Sequence, residues 1–211
     1  MKPEAPNKSE FWAAIDRISS FAIISLLWVA ISMFIVTLPV ATAGLFAVCS
    51  DWVQGKQSET FARFFGAMRR HAVRATQLVM ADILIGGLVS LNTIILPETG
   101  LPNIVLGSFI AITLSVGLLT LMANFYLWPL LVSYDIPLRE LARIALSLVF
   151  QHIRWSMWLL VINALALVSG LLLLPQGLIV LGLPAGCALL ISWGSWHILQ
   201  QYDSELQSFE Q

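Results

Sequence analysis

The chain has 211 residues, 58% hydrophobic and 11% charged, with 11 basic against 12 acidic side chains and a mean hydropathy of +0.85. Soluble domains average about 45–50% apolar and about 25% charged residues. The composition therefore excludes a water-soluble globule, a disordered chain, a disulfide-stapled secreted domain and a nucleic-acid binder driven by positive charge. It fits one integral membrane domain, 1–211, for which lipid is the main solvent.

The N-terminal segment 1–20 reads as a cytoplasmic amphipathic stretch carrying Lys2, Lys8 and Arg17. An apolar stretch follows at 21–38. Ala41-Thr42-Ala43 mimics a signal-peptide cleavage site, but the preceding charges are mixed and the apolar run exceeds the usual 7–15 residues, so it reads as a retained helix. The second stretch, 40–53, is short against the roughly 17–25 residues of a spanning helix. The next segment places Phe61, Phe64, Phe65, Met68 and Ala72 at helical spacing, with Arg63, Arg69, Arg70 and Arg74 around them and Ser58 as N-cap. It predicts an amphipathic helix at the membrane interface, drawn to anionic lipid or packed under a bundle. The third stretch is 77–96. The fourth, 104–132, is longer than a bilayer needs, so it tilts, bends near Pro129 or projects inward.

A second amphipathic helix is expected after Asp135 as cap and Pro137 in its first turn. Its apolar stripe is Leu138, Leu141, Ala145, Leu148 and Val149, with Arg139 and Arg143 opposite. The fifth and sixth stretches are 155–174 and 178–199, with a kink predicted at Pro184, and 200–211 reads as an acidic cytoplasmic tail.

Basic residues set the topology. They fall before the first stretch, between the second and third, and between the fourth and fifth. The turns at Pro39, 97–103 and 175–177 carry none. If the second stretch crosses, or re-enters far enough to return the chain, all 11 lie on one side. The expectation is thus an all-α polytopic bundle of about six membrane helices, the second one short, with two cytoplasmic amphipathic helices and both termini cytoplasmic. Trp12, Trp52, Trp128, Tyr134, Trp155, Trp196 and Tyr202 fall at the same ends.

No phosphate-binding loop, zinc-protease helix, nucleophile elbow or paired-cysteine motif is present, so neither an enzyme nor a bound cofactor or metal is expected. Asp82 lies inside the third stretch, where a carboxylate marks an ion pathway or, more commonly, a structural polar contact. Asn92, Asn124 and Asn163 also need hydrogen-bond partners in the bilayer. Gly107, Ala111 and Ser115 repeat every four positions, and Gly182, Gly186 and then Gly194 mark another small-residue face. Both predict close helix packing. A shift of 81 residues aligns His71 with His152, Leu78 with Leu159 and Asp82 with Asn163, a weak internal repeat of the sort common in transporters.

Two segments together resemble the YesL-like family of bacterial membrane proteins. One is Leu38-Pro39-Val40-Ala41-Thr42-Ala43-Gly44, followed by Gly55 and the Phe-rich basic segment with Phe61, Phe64, Phe65, Arg69 and Arg70. The other is Trp128-Pro129-Leu130-Leu131-Val132-Ser133-Tyr134-Asp135, running into 138–150. The departures are Leu45, where the family often has Pro after Gly, and Ser133, where it commonly has Arg. The resemblance implies a protein of unknown biochemical role associated with carbohydrate-uptake ABC transporters. The expected function is therefore a non-enzymatic accessory or scaffold of the bacterial inner membrane, with lipid and transporter subunits as partners. The alternative is a small solute or ion transporter or channel using Asp82 and the asparagines. Arg69, Arg70, Arg74, Arg139 and Arg143 are the candidate partner-facing residues, and the oligomeric state is left open.

Overall fold

The computed structural model describes residues 8–56, 59–99, 102–172 and 178–208. They form α1 (Lys8–Ser32), a short 3-10 turn (Ile35–Thr37), α2 (Leu38–Val53), α3 (Thr60–Ile95), a second 3-10 turn (Leu96–Thr99), α4 (Asn103–Ser133), α5 (Leu138–Gln151), α6 (Ile153–Leu172) and α7 (Leu178–Ser208). The all-α bundle is as expected. Three stretches are long and apolar enough to cross a bilayer: Ile35–Val53, Thr60–Glu98 and Asn103–Ser133. There are four if α5 and α6, bent by 98°, count as one.

The first amphipathic segment is not a separate helix. It is continuous with the third apolar stretch in α3, whose 36 residues extend about 54 Å, well beyond a hydrocarbon core of about 30 Å. No Gly or Pro interrupts 67–85, so the backbone ladder runs through the change from basic to apolar sequence. Its buried stripe is also rotated from the expected one. Phe64, Ala67, His71, Ala75 and Leu78 face inward, while Phe61 and Phe65 stay exposed. The N-cap position is Glu59, without a side-chain cap bond, and Ser58 lies outside the described residues.

α2 is wrapped by protein rather than lipid. Pro39, Ala41 and every residue from 43 to 51 are buried, and Pro39 sits in the helix's first turn rather than in a loop. Small residues allow this: a Cβ at Gly44 would stand 3.0 Å from both Met68 Cγ and Phe64 Cδ2. The helix ends in a Schellman cap. Gly55, at φ +70, sends its N–H to Trp52 O (3.2 Å), and Lys56 N–H reaches Asp51 O (2.9 Å).

The core therefore combines α2, the N-terminal half of α3, the C-terminal half of α4, the inner face of α5 and the middle of α7. The remaining halves of α3 and α4 leave it as an antiparallel pair with apolar outer surfaces. They touch closely at Gly117, where a Cβ would meet Val89 Cγ2 at 3.3 Å. α5 buries Leu141, Ala145, Leu148 and Val149, as its periodicity requires. Pro137, not Asp135, occupies its N-cap position. Pro129 and Pro184 lie inside α4 and α7, which run on through them.

The repeated units differ in shape. The amphipathic and apolar parts are one helix in α3, but they are broken at His152 (φ −119, ψ 41) between α5 and α6. The turn at 175–177 and part of the turn at 97–103 lie outside the described residues.

Candidate functional site

Polar side chains concentrate where the basic half of α3 meets α2 and the α4–α5 corner. Asp51 sits in the last turn of α2, and the six-residue connection 54–59 returns the chain so that α3 lies beside it. Arg63 Nε then stands 2.8 Å from Asp51 Oδ2, and its Nη2 donates to Oδ1 at 3.3 Å. The Asp51 side chain is 6% exposed and that of Arg63 31%, so this is a largely buried ion pair. The sequence pattern placed Arg63 among the basic residues around the apolar stripe and did not mark Asp51. The signal available was a carboxylate in an otherwise apolar helix followed, across a glycine turn, by an arginine.

Two turns further along α3, Arg70 and Arg74 both grip Asp135. Arg70 Nη2 lies 3.1 Å from Oδ2, and Arg74 Nη1 pairs with Oδ1. Hydrogen bonds from the two guanidinium groups, reinforced by their charge, hold the Asp135 carboxyl below the usual carboxylate range. The clamp ties α3 to the corner between α4 and α5, and His71 is buried on the same turn. Arg70 and Arg74, expected to meet lipid or a partner, are thus engaged within the chain. Arg69 and Arg139 are exposed, as is Arg143, which stands 4.0 Å from Glu140.

Farther along α3 and α4, two of the predicted intramembrane polar residues meet each other. Asn124 Nδ2 donates to Asp82 Oδ1 at 3.0 Å and to Thr120 O at 3.2 Å. Asn92 Nδ2 reaches Thr113 Oγ1 at 3.4 Å across the same pair of helices. Asn163, buried in α6, donates to Leu159 O at 2.9 Å on its own helix. Asp82 is therefore a half-buried interhelical contact, and the open grooves along α4 and α6 are lined by other residues.

Small residues act at other positions than predicted. Gly107 and Gly186 have open space where a Cβ would be, and Gly182 would make an ordinary 3.8 Å contact with Phe21. Ala111 and Ser115 line an open groove on α4 beside Phe150 of α5. The closest approach comes at Gly194, where a Cβ would collide with the Leu159 side chain. Trp155 Nε1 donates to the Gly194 carbonyl at 2.8 Å. Among the described residues, no group of three or more His, Cys, Asp or Glu side chains converges as a metal site would require.

A family model described as "Protein of unknown function, DUF624" matches residues 21–93, the segment holding most of α1's apolar part, α2 and nearly all of α3. The Asp51–Arg63 pair and both arginines of the clamp lie in the matched part, while Asp135 lies outside it. No curated protein and no solved structure matches the chain.

Proposed function

We propose that this chain is a non-enzymatic accessory or scaffold protein of the bacterial cytoplasmic membrane. In this reading it is multi-pass with both termini cytoplasmic, of YesL-like type, and it serves a carbohydrate-uptake ABC transporter. The membrane character follows from the apolar helices. The observation that carries the accessory role is the α3–α4 pair, whose apolar halves leave the core with large exposed side chains such as Ile83, Leu88, Phe109 and Ile112. A transmembrane partner can pack on such a flank without any rearrangement of the bundle. A transporter reading would need Asp82 facing a lined path, whereas its carboxylate is hydrogen-bonded to Asn124 between two helices. Exposed Arg69 and Arg139 then offer cytoplasmic contacts that are free to engage a partner electrostatically.

The experiment is co-purification from native membranes in mild detergent, with identification of what is retained. Transporter subunits are expected with the wild type. They should be depleted by Arg69→Glu, which leaves both internal ion pairs intact, and kept by the control Glu98→Ala. Retention by Arg69→Glu together with loss in the control would reject the cytoplasmic-face contact. Topology is checked separately in intact cells, with Cys49 and Cys187 replaced by Ala. A cysteine at Thr99 should react with an impermeant reagent and one at Lys56 should not.

A further inference from the structure

α5 and α6 meet at a sharp elbow. The 98° bend at His152 turns the chain from an amphipathic helix into an apolar one. Beside the bend is an open groove of about 420 Å3, whose described lining is Ile153, Arg154, Met157, Trp158 and Val161. A second groove of about 380 Å3 adjoins it, sharing Ile153, Arg154 and Trp158 and adding Gln151, His152 and Trp155. The combined trough is polar at one end and apolar along α6.

Among the described lining residues, the polar end offers Arg154 as its cation. Gln151 Oε1 accepts a hydrogen bond from Tyr202 at 2.8 Å, His152 stacks edge-on against the Tyr202 ring, and Trp155 Nε1 is committed to Gly194. Arg154 is exposed and forms no ion pair with a described residue. It stands in the first turn of α6, where backbone N–H groups lack intrahelical acceptors and the helix dipole favours negative charge. Below it, Met157, Trp158 and Val161 continue along the apolar helix on the same side. No carboxylate stands among the described lining residues to receive the ammonium of a zwitterionic head group.

We propose that the α5–α6 elbow holds one anionic phospholipid, its phosphodiester on Arg154 at the start of α6 and one acyl chain along Met157 and Val161 beside the Trp158 ring. Charge complementarity selects the head group, and the apolar track distinguishes a lipid from free phosphate. The inference rests on the membrane placement of α6 and is independent of any transporter partner.

The test uses the full-length protein, purified in detergent and stripped of lipid. It is offered phosphatidylglycerol or phosphatidylcholine of identical acyl composition, with bound lipid counted by native mass spectrometry. One phosphatidylglycerol is expected to be retained in preference to phosphatidylcholine. Arg154→Ala should lower that retention roughly tenfold, the scale of a lost charge-assisted contact, while Arg154→Lys keeps most of it. Arg143→Ala, on the exposed face of α5, should leave it unchanged. Met157→Gln, which interrupts the apolar track without altering charge, should weaken both lipids. Circular dichroism and melting of each variant verify the fold, and the exposed positions of Arg154 and Met157 predict little change. Equal retention of the two lipids, unaltered phosphatidylglycerol binding by Arg154→Ala, or displacement by millimolar inorganic phosphate overturns the proposal.

Discussion

Replacing Arg63 by Met should destabilise the bundle through Asp51. The substitution keeps an apolar stem on α3 but leaves a carboxylate, 6% exposed, at the end of α2 without its cation. Removing one partner of a fully buried ion pair costs about 3–5 kcal/mol, because the other charge stays desolvated. Arg63 is itself 31% exposed, so water can enter part of the vacated space and screen the charge. The expected loss is therefore about 2–3 kcal/mol. Asp51→Asn retains an acceptor oxygen and leaves a guanidinium that can turn to water, so about 1 kcal/mol is expected. The double variant should be more stable than the two separate losses imply, with a coupling of about 1–2 kcal/mol. The assay is reversible unfolding in detergent, followed by tryptophan fluorescence, in which Trp52 next to Asp51 reports locally. Arg63→Met unfolding within about 0.5 kcal/mol of wild type, or a coupling near zero, would refute the claim that this pair is built into the core.

Asp135→Asn should cost about 1 kcal/mol or less at neutral pH and low salt, because the carboxylate is half exposed and its two arginine contacts are screened. Asp135's pKa is depressed in the folded state, so the charged pair stabilises above the ordinary carboxylate value of about 4. The advantage of wild type over the variant should shrink as pH falls through the folded pKa, and a gap that persists in strong acid would contradict the assignment. Gly194→Ala should destabilise by about 1–3 kcal/mol through its collision with Leu159, and Leu159→Ala in the same chain should restore part of the loss. Gly107→Ala, with open space around it, should be neutral or slightly stabilising in the same melts. Asp82→Asn should leave stability within about 1–2 kcal/mol, since an amide oxygen can still accept from Asn124. Proton-linked flux in liposomes that vanishes with this one substitution would instead favour transport.

Composition and periodicity were enough to identify a membrane-embedded all-α chain and to place the apolar stretches on helices. They were also enough to find the buried face of α5, since Leu141, Ala145, Leu148 and Val149 repeat within one helix. These are local properties, fixed by hydropathy and the 3.6-residue turn. Other features depend on how helices distant in the chain cross, and tertiary structure decided them. Arg70 meets Asp135 and Asp82 meets Asn124 only because α3 and α4 lie antiparallel. α2 is enclosed because its small residues admit α3, although its apolar sequence would suit lipid equally well. The buried stripe of α3 includes His71 and omits Phe61 and Phe65, because proximity to α2 determined which side of a basic helix turned inward. Small residues were visible in the sequence as two candidate faces. Gly194 was singled out for close contact by the Leu159 side chain opposite it, and where two helices touch is set by the packing of the pair rather than by either sequence alone.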